Sequence, residues 1–102
     1  MAENEDMKLE ELRRSKRDTI LQLARKHGAR NLPVFGSVAR GEHSDSSDID
    51  FLVDLDPDRT LMDLGGLLMD LEEMLELRVD VATEETLRPK VRNQALRDAV
   101  PL

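Results

Sequence analysis

The chain has no cysteine, no tryptophan and no tyrosine, and only 2 phenylalanines among its 102 residues. Without cysteine there is neither a disulfide framework nor a thiolate metal site, which fits a reducing, cytoplasmic setting. With so few rings there is almost nothing to stack on a nucleobase. Base selectivity is therefore expected to be loose, or supplied partly by a partner. No apolar run approaches membrane-spanning length, and Met1-Ala2-Glu3-Asn4-Glu5-Asp6 is acidic and lacks the apolar core of a secretory signal. Positive charge is short as well. A net charge of −7 speaks against a surface built for nucleic-acid backbones. Lys8, Arg13, Arg14, Lys16, Arg17, Arg25, Lys26 and Arg30 are interleaved with Glu10, Glu11 and Asp18. That mixture reads as a solvated, ion-paired helix face rather than a basic contact to DNA or to an acidic protein.

Against these absences stand three aspartates and one Gly-Ser pair. In Asp48-Ile49-Asp50-Phe51-Leu52-Val53 a strand would put Asp48, Asp50, Leu52 and Asp54 on one face and Ile49, Phe51 and Val53 on the other. The second set wants a core. The first brings two carboxylates together, and like charges about 4 Å apart repel by roughly 4 kcal/mol at an effective dielectric of about 20. A divalent cation with a preference for hard oxygen ligands compensates such a pair, and Mg²⁺ is the natural choice. In Arg78-Val79-Asp80-Val81 the valines would face the core and leave Asp80 on the opposite face. If that strand lies beside the first, all three carboxylates meet above one sheet and could hold two metal ions.

Gly36-Ser37 belongs to the phosphate end of the same site. Asn31 to Phe35 reads as a strand, with a helix starting near Val38-Ala39-Arg40. A glycine at that turn lets backbone approach a ligand, and the free N–H groups at the helix start favour an anion. The Gly41 to Ser47 segment is the loop back into the carboxylate strand. Each element alone has a bland explanation: an ordinary turn, a solvated strand edge, the polar side of a half-buried strand. Their joint order and spacing are much harder to obtain that way.

Gly36-Ser37, ten intervening residues and Asp48-Ile49-Asp50 resemble the signature of the DNA polymerase beta nucleotidyltransferase superfamily. The fuller string Gly-Ser-x-Ala-Arg-Gly, then Ser-Asp-x-Asp-x-x-Val, is similar to its minimal branch, the MNT antitoxins paired with HEPN-domain toxins. The resemblance covers about Leu32 to Leu102. It implies an α/β (α+β) fold: a short mixed sheet of about three to four strands flanked by helices. It further implies Mg²⁺, ATP as donor, and transfer of AMP to a tyrosine of the cognate HEPN ribonuclease. By position, Asp48, Asp50 and Asp80 would be the metal-binding and catalytic carboxylates, with Asp80 also a candidate base. Gly36 and Ser37 would bind the triphosphate, assisted by Arg40.

The remaining sequence organises around that motif. The chain length gives one globular domain, with residues 1–30 as a leading helix and 31–102 as the minimal nucleotidyltransferase unit. No acceptor module fits beside it, so acceptor recognition is expected to come mainly from the acceptor. Glu5 to His27 reads as a helix with Leu9, Leu12, Ile20, Leu23 and Ala24 as its apolar stripe, stopped by Gly28. Asp54 to Arg59 reads as a polar turn. Thr60 and Asp63 then cap a helix to Leu77 with a stripe of Leu61, Leu64, Leu68, Leu71 and Leu75, widened by Met62, Leu67, Met69 and Met74. Gly65-Gly66 inside it costs roughly 1 kcal/mol per glycine relative to alanine, and close packing or a nearby ligand would explain it. Thr83 can cap a last helical stretch through Arg97, interrupted near Pro89, with Val91 and Leu96 facing inward. His27 and His43 carry no assigned role.

So wide an apolar face suits a domain that is marginal alone and joins a hetero-complex or homo-oligomer, although a generous core explains it equally well. The C-terminal segment and the Leu61–Leu77 helix are the candidate contacts. Three functional classes follow: an ATP-dependent enzyme modifying a protein hydroxyl, an antitoxin that binds nucleotide and blocks its toxin sterically, and a small-molecule nucleotidyltransferase. Three repelling carboxylates favour the first over the second. The third would need an acceptor pocket, for which a chain of this length is expected to be too short.

Overall fold

The computed structural model describes residues 9–41 and 48–102. The first residues expected in the leading helix, 5–8, and most of the expected loop, 42–47 with His43, lie outside that description. Leu12–Lys16 is wound as a π-helical turn and runs into α1, Arg17–Lys26. Leu12, Ile20 and Ala24 are buried and Leu9 and Leu23 pack against the core, as their spacing predicts. His27 ends the helix and Gly28, at φ +79°, turns the chain.

The single strand expected over Asn31 to Phe35 is instead two: β1, Ala29–Asn31, and β2, Val34–Phe35. Pro33 separates them. It has no N–H for a ladder, but its carbonyl accepts from Leu52 N–H at 2.9 Å. β2 leads directly into the short helix α2, Gly36–Arg40, and β3 follows as Ile49–Leu52. The polar turn expected over Asp54 to Arg59 begins with a further strand, β4, Asp54–Leu55. It pairs antiparallel with β1, and Arg30 ties the corner through Asp54 at 3.4 Å and Asp56 at 3.1 Å.

Thr60 caps α3, Leu61–Leu75: its Oγ1 accepts from Met62 N–H, and its own N–H is bonded to Asp63. The N–H of Thr60 holds the Asp63 carboxyl below its usual range, with Arg59 adding to the effect. The helix ends at Leu75 rather than Leu77, because Glu76 turns left-handed at φ +53°. Its inward stripe is Leu64, Leu67, Leu71 and Leu75. Leu61 is 68% exposed, and the fully buried Leu67 takes the central place expected of Leu68. The helix has more leucine than one face can use, so its phase is set by packing on α1 and on the next strand, β5, Val79–Ala82.

A 3₁₀ turn, Glu84–Thr86, capped by Thr83, precedes α4, Pro89–Asp98, in which Pro89 takes the first turn. Val91 and Leu96, expected to face inward, are 49% and 46% exposed. The buried residue of α4 is Ala95, a small side chain that allows close approach, while Leu96 only lines a shallow cleft with Leu52 and Ala99. Beyond α4 the backbone of Val100 exchanges two hydrogen bonds with Val34, of 2.9 and 2.8 Å. Arg13 donates to the Pro101 carbonyl.

The main sheet has the order β2-β3-β5, antiparallel on one side of β3 and parallel on the other. This is the short mixed sheet with flanking helices that the α/β (α+β) resemblance implies. Ile49, Phe51 and Val53 lie in the same buried cluster as Ile20, Leu67 and Leu71. Leu52, on the opposite face, is buried outside that cluster, as is Ala95. No described helix is long and apolar enough to cross a membrane.

Candidate active site

β3 and β5 run parallel with Asp50 directly opposite Asp80, and Ile49 opposite Val79. The alternation within each strand thus does what its sequence predicts. The apolar partners go to the core, and two carboxylates stand side by side on the other face. Backbone hydrogen bonds from Ile49 N–H to Arg78 and from Val53 N–H to Ala82, 3.0 and 2.7 Å, fix that register from both ends. Asp50 is half-buried and Asp80 exposed.

Asp50 bears the strain of the arrangement. Burial, then the charges of Asp80 and Asp48, push its carboxyl from 3.8 up to about 6, against a smaller opposing pull from Arg40. Two carboxylates whose mutual repulsion raises one of them are a donor set suited to a hard cation. Asp48, just before β3, is turned toward Arg78, with Oδ1 3.4 Å from Nε. Among the described residues no three such ligands are already gathered for a metal. The structure therefore sets Asp50 opposite Asp80 by strand register and gives Asp48 a competing cationic partner.

Gly36 packs against Asp50. On β2, Phe35 is the register partner of Asp50, and the next residue, Gly36, has φ +76°. A Cβ built on it would collide with Asp50 Oδ2. Both the backbone angle and the carboxylate thus demand glycine here. Ser37 follows in α2, half-buried, while Val38 anchors the helix in the core. The turn expected at the phosphate end therefore touches the carboxylate row itself.

Arg40 closes α2 with Nη1 2.6 Å from Asp98 Oδ2 on α4. Gln94 Nε2 donates to both oxygens of Asp98, at 3.1 and 3.2 Å. Those bonds and Arg40, in that order, hold the Asp98 carboxyl below its usual range. Neither Arg78 nor Asp98 was singled out from sequence. The one local signal for Asp98 is a carboxylate at the last position of a helix, where the macrodipole disfavours it.

His27 also acquires a place. Its Nε2 lies 2.7 Å from Asp70 Oδ2, with Lys26 Nζ 3.3 Å from the same atom. These contacts hold the Asp70 carboxyl low. The imidazole sits over Gly66, where a Cβ would come within 2.9 Å of Cε1, whereas a Cβ at Gly65 meets nothing within 4 Å. Close packing of a neighbouring side chain accounts for Gly66 but not for Gly65.

The chain matches the family model described as the nucleotidyltransferase domain over residues 16–102. It is 37% identical to a candidate protein adenylyltransferase of Methanocaldococcus jannaschii, covering 92% of this chain and 97% of that one. It is also 37% identical to the protein adenylyltransferase MntA of Thermococcus cleftensis, over 78% of this chain and 80% of the other. A solved candidate minimal nucleotidyltransferase superposes with TM-score 0.79 at 47% identity, covering 90% of this chain and 94% of that chain. The fold is also that of a toxin–antitoxin crystallised with AMP-PNP, with TM-score 0.71, 20% identity, and 84% and 71% coverage. With a glycine turn pressed on one of two paired carboxylates and a family match over nearly its whole length, the chain belongs to the nucleotidyltransferase domain family, as one of its minimal members.

Proposed function

We propose that this nucleotidyltransferase is an antitoxin that moves AMP from ATP to a tyrosine hydroxyl of a cognate HEPN ribonuclease and thereby inactivates it. The observation that carries the reading is the Asp50–Asp80 register pair, with Asp50 packed against a Gly36 that has no room for a side chain. The activity named for the relatives supports a protein as acceptor. The fold shared with a toxin–antitoxin pair, and the resemblance of the motif, support a HEPN toxin as that protein.

In this reading Asp50 and Asp80, joined by Asp48 once it leaves Arg78, hold Mg²⁺. When bound, the ion neutralises charge on the phosphates and on the carboxylates. The backbone at Gly36 and Ser37 lies against the triphosphate, and Arg40 donates to its oxygens. Asp80, which is exposed, takes the proton of the acceptor hydroxyl as that oxygen attacks the α-phosphorus. The bond from the α-phosphorus to the oxygen bridging it to the β-phosphate breaks, and pyrophosphate leaves. Positioning and charge neutralisation do most of this work, as in other phosphoryl transfers. The cytoplasm, where ATP is at hand, is the proposed compartment.

The test is to mix the protein with labelled ATP, Mg²⁺ and the product of the neighbouring gene. The expected result is label on that partner, with mass added in steps of one AMP. Asp48→Ala or Asp50→Ala should abolish it. Complete neutralisation of the toxin by the double alanine variant, with no label transferred, would sink the enzymatic reading and leave steric blocking.

A further inference from the structure

Asp98 is a costly residue where it stands. It is the last residue of α4, at the negative end of the helix dipole, and its side chain is only 10% exposed. A carboxylate in such a place needs partners, and it has them: Arg40 Nη1 at 2.6 Å and the Gln94 amide on both oxygens. Gln94 is itself oriented, because its Oε1 accepts from Arg97 Nη2 at 2.8 Å. The chain of contacts runs along α4 and ends on the guanidinium of α2.

That guanidinium belongs to the helix that Gly36 opens, and this helix packs against β3, the strand that carries Asp50. Two residues beyond Asp98, Val100 exchanges backbone hydrogen bonds with Val34, two residues before Gly36. The C-terminal segment thus grips the Gly36–Arg40 turn from both ends, by backbone at Val34 and by side chain at Arg40. We propose that Asp98 is a positioning residue for nucleotide transfer, holding the Arg40 guanidinium beside the carboxylate row where it meets the phosphates of the donor. The inference rests on the reading of this turn as the triphosphate site.

Binding of AMP-PNP with Mg²⁺, followed by calorimetry alongside thermal melting, tests it without need of an acceptor. Removing a charge-assisted hydrogen bond to phosphate, Arg40→Ala, should weaken binding about tenfold. Asp98→Ala should weaken it by about three- to tenfold, and the isosteric Asp98→Asn, which keeps an acceptor oxygen, by no more than about threefold. In the Arg40→Ala background, Asp98→Ala should add nothing, because it acts through Arg40. Unchanged binding in both Asp98 variants overturns the inference, even if their melting temperatures fall. So does a double variant whose loss equals the product of the single ones. Absence of nucleotide binding by the wild-type protein overturns the triphosphate site itself, and the inference with it.

Discussion

Asp50 should make the metal-free protein less stable than it would be without its charge. Its carboxyl stands at about 6 in the folded state against 3.8 ordinarily. At about 1.4 kcal/mol per pH unit this difference is worth about 3 kcal/mol at most. Asp50 is only half-buried, so solvent screening reduces the figure to about 1–2 kcal/mol. Well below pH 3.8 the group is protonated whether folded or unfolded and contributes nothing. Between pH 4 and 6 the folded state keeps its proton while the unfolded chain releases it, so stability falls as pH rises. The whole penalty applies only well above pH 6, once the folded form is ionised as well. Asp50→Asn removes the charge with little change of shape. At pH 8 in EDTA the variant should therefore be more stable than wild type by about 1–2 kcal/mol, or several degrees in melting temperature for a domain of this size.

Urea unfolding followed by circular dichroism, from pH 4.5 to 8, measures this. Asp63, Asp70 and Asp98 are held low in the folded state, so they give stability that is lost on acidification. That opposite trend is common to both proteins and cancels in their difference. The quantity that matters is the gap between variant and wild type, which should widen from pH 4.5 to above 6. Mg²⁺ should narrow it by stabilising the wild type alone. A gap that is zero or negative at pH 8, or that does not change with pH, would refute the electrostatic account of the Asp50–Asp80 pair.

Two further substitutions test the packing around the site. Gly36→Ala should destabilise by more than about 2 kcal/mol, since left-handed backbone alone costs alanine about 1–2 kcal/mol and the new Cβ strikes Asp50. Nucleotide binding should be lost with it, and calorimetry showing neither effect would contradict the close approach. Gly65→Ala, into open space, should raise stability by about 0.5–1 kcal/mol. Gly66→Ala should forfeit that gain by displacing His27 from Asp70, so equal gains in thermal melts of the two variants would be the wrong result.

Legibility in the sequence followed how local the determining interaction is. The strand alternation in Ile49-Asp50-Phe51 and Val79-Asp80-Val81 is local, and so is the Thr60–Asp63 cap, and both were readable. The expectation that all three carboxylates meet assumed that the two strands are neighbours; they are, and Asp50 stands opposite Asp80, but Asp48 turns to Arg78 instead. β1 and β4 were not legible, because strands of three and two residues owe their existence to each other and not to composition. The phase of α3 was hidden by surplus leucine. For α4 the usual rule pointed to Val91 and Leu96, while the helix packs through Ala95, whose small size is a weak signal in sequence but a strong one in space. Arg78 and Asp98 escaped notice because each acts through a partner far away in the chain.

The placement of the carboxylates bears on how metal and fold are coupled. Asp50 lies on the central strand, bonded on one side to β2 and on the other to β5, so its backbone is held opposite that of Asp80. Asp48, before the strand begins, escapes the crowding by turning to Arg78. The repulsion is thus held by the sheet at one position and relieved by a side-chain partner at the other. A cation bound at the pair, as proposed, would return about 1–2 kcal/mol to the folded state, against the roughly 5–15 kcal/mol expected for a whole domain. In the proposed site, part of what a metal would bind to is therefore the repulsion that the sheet holds in place. Loosening the β3–β5 register should for that reason weaken metal affinity even where every carboxylate is kept.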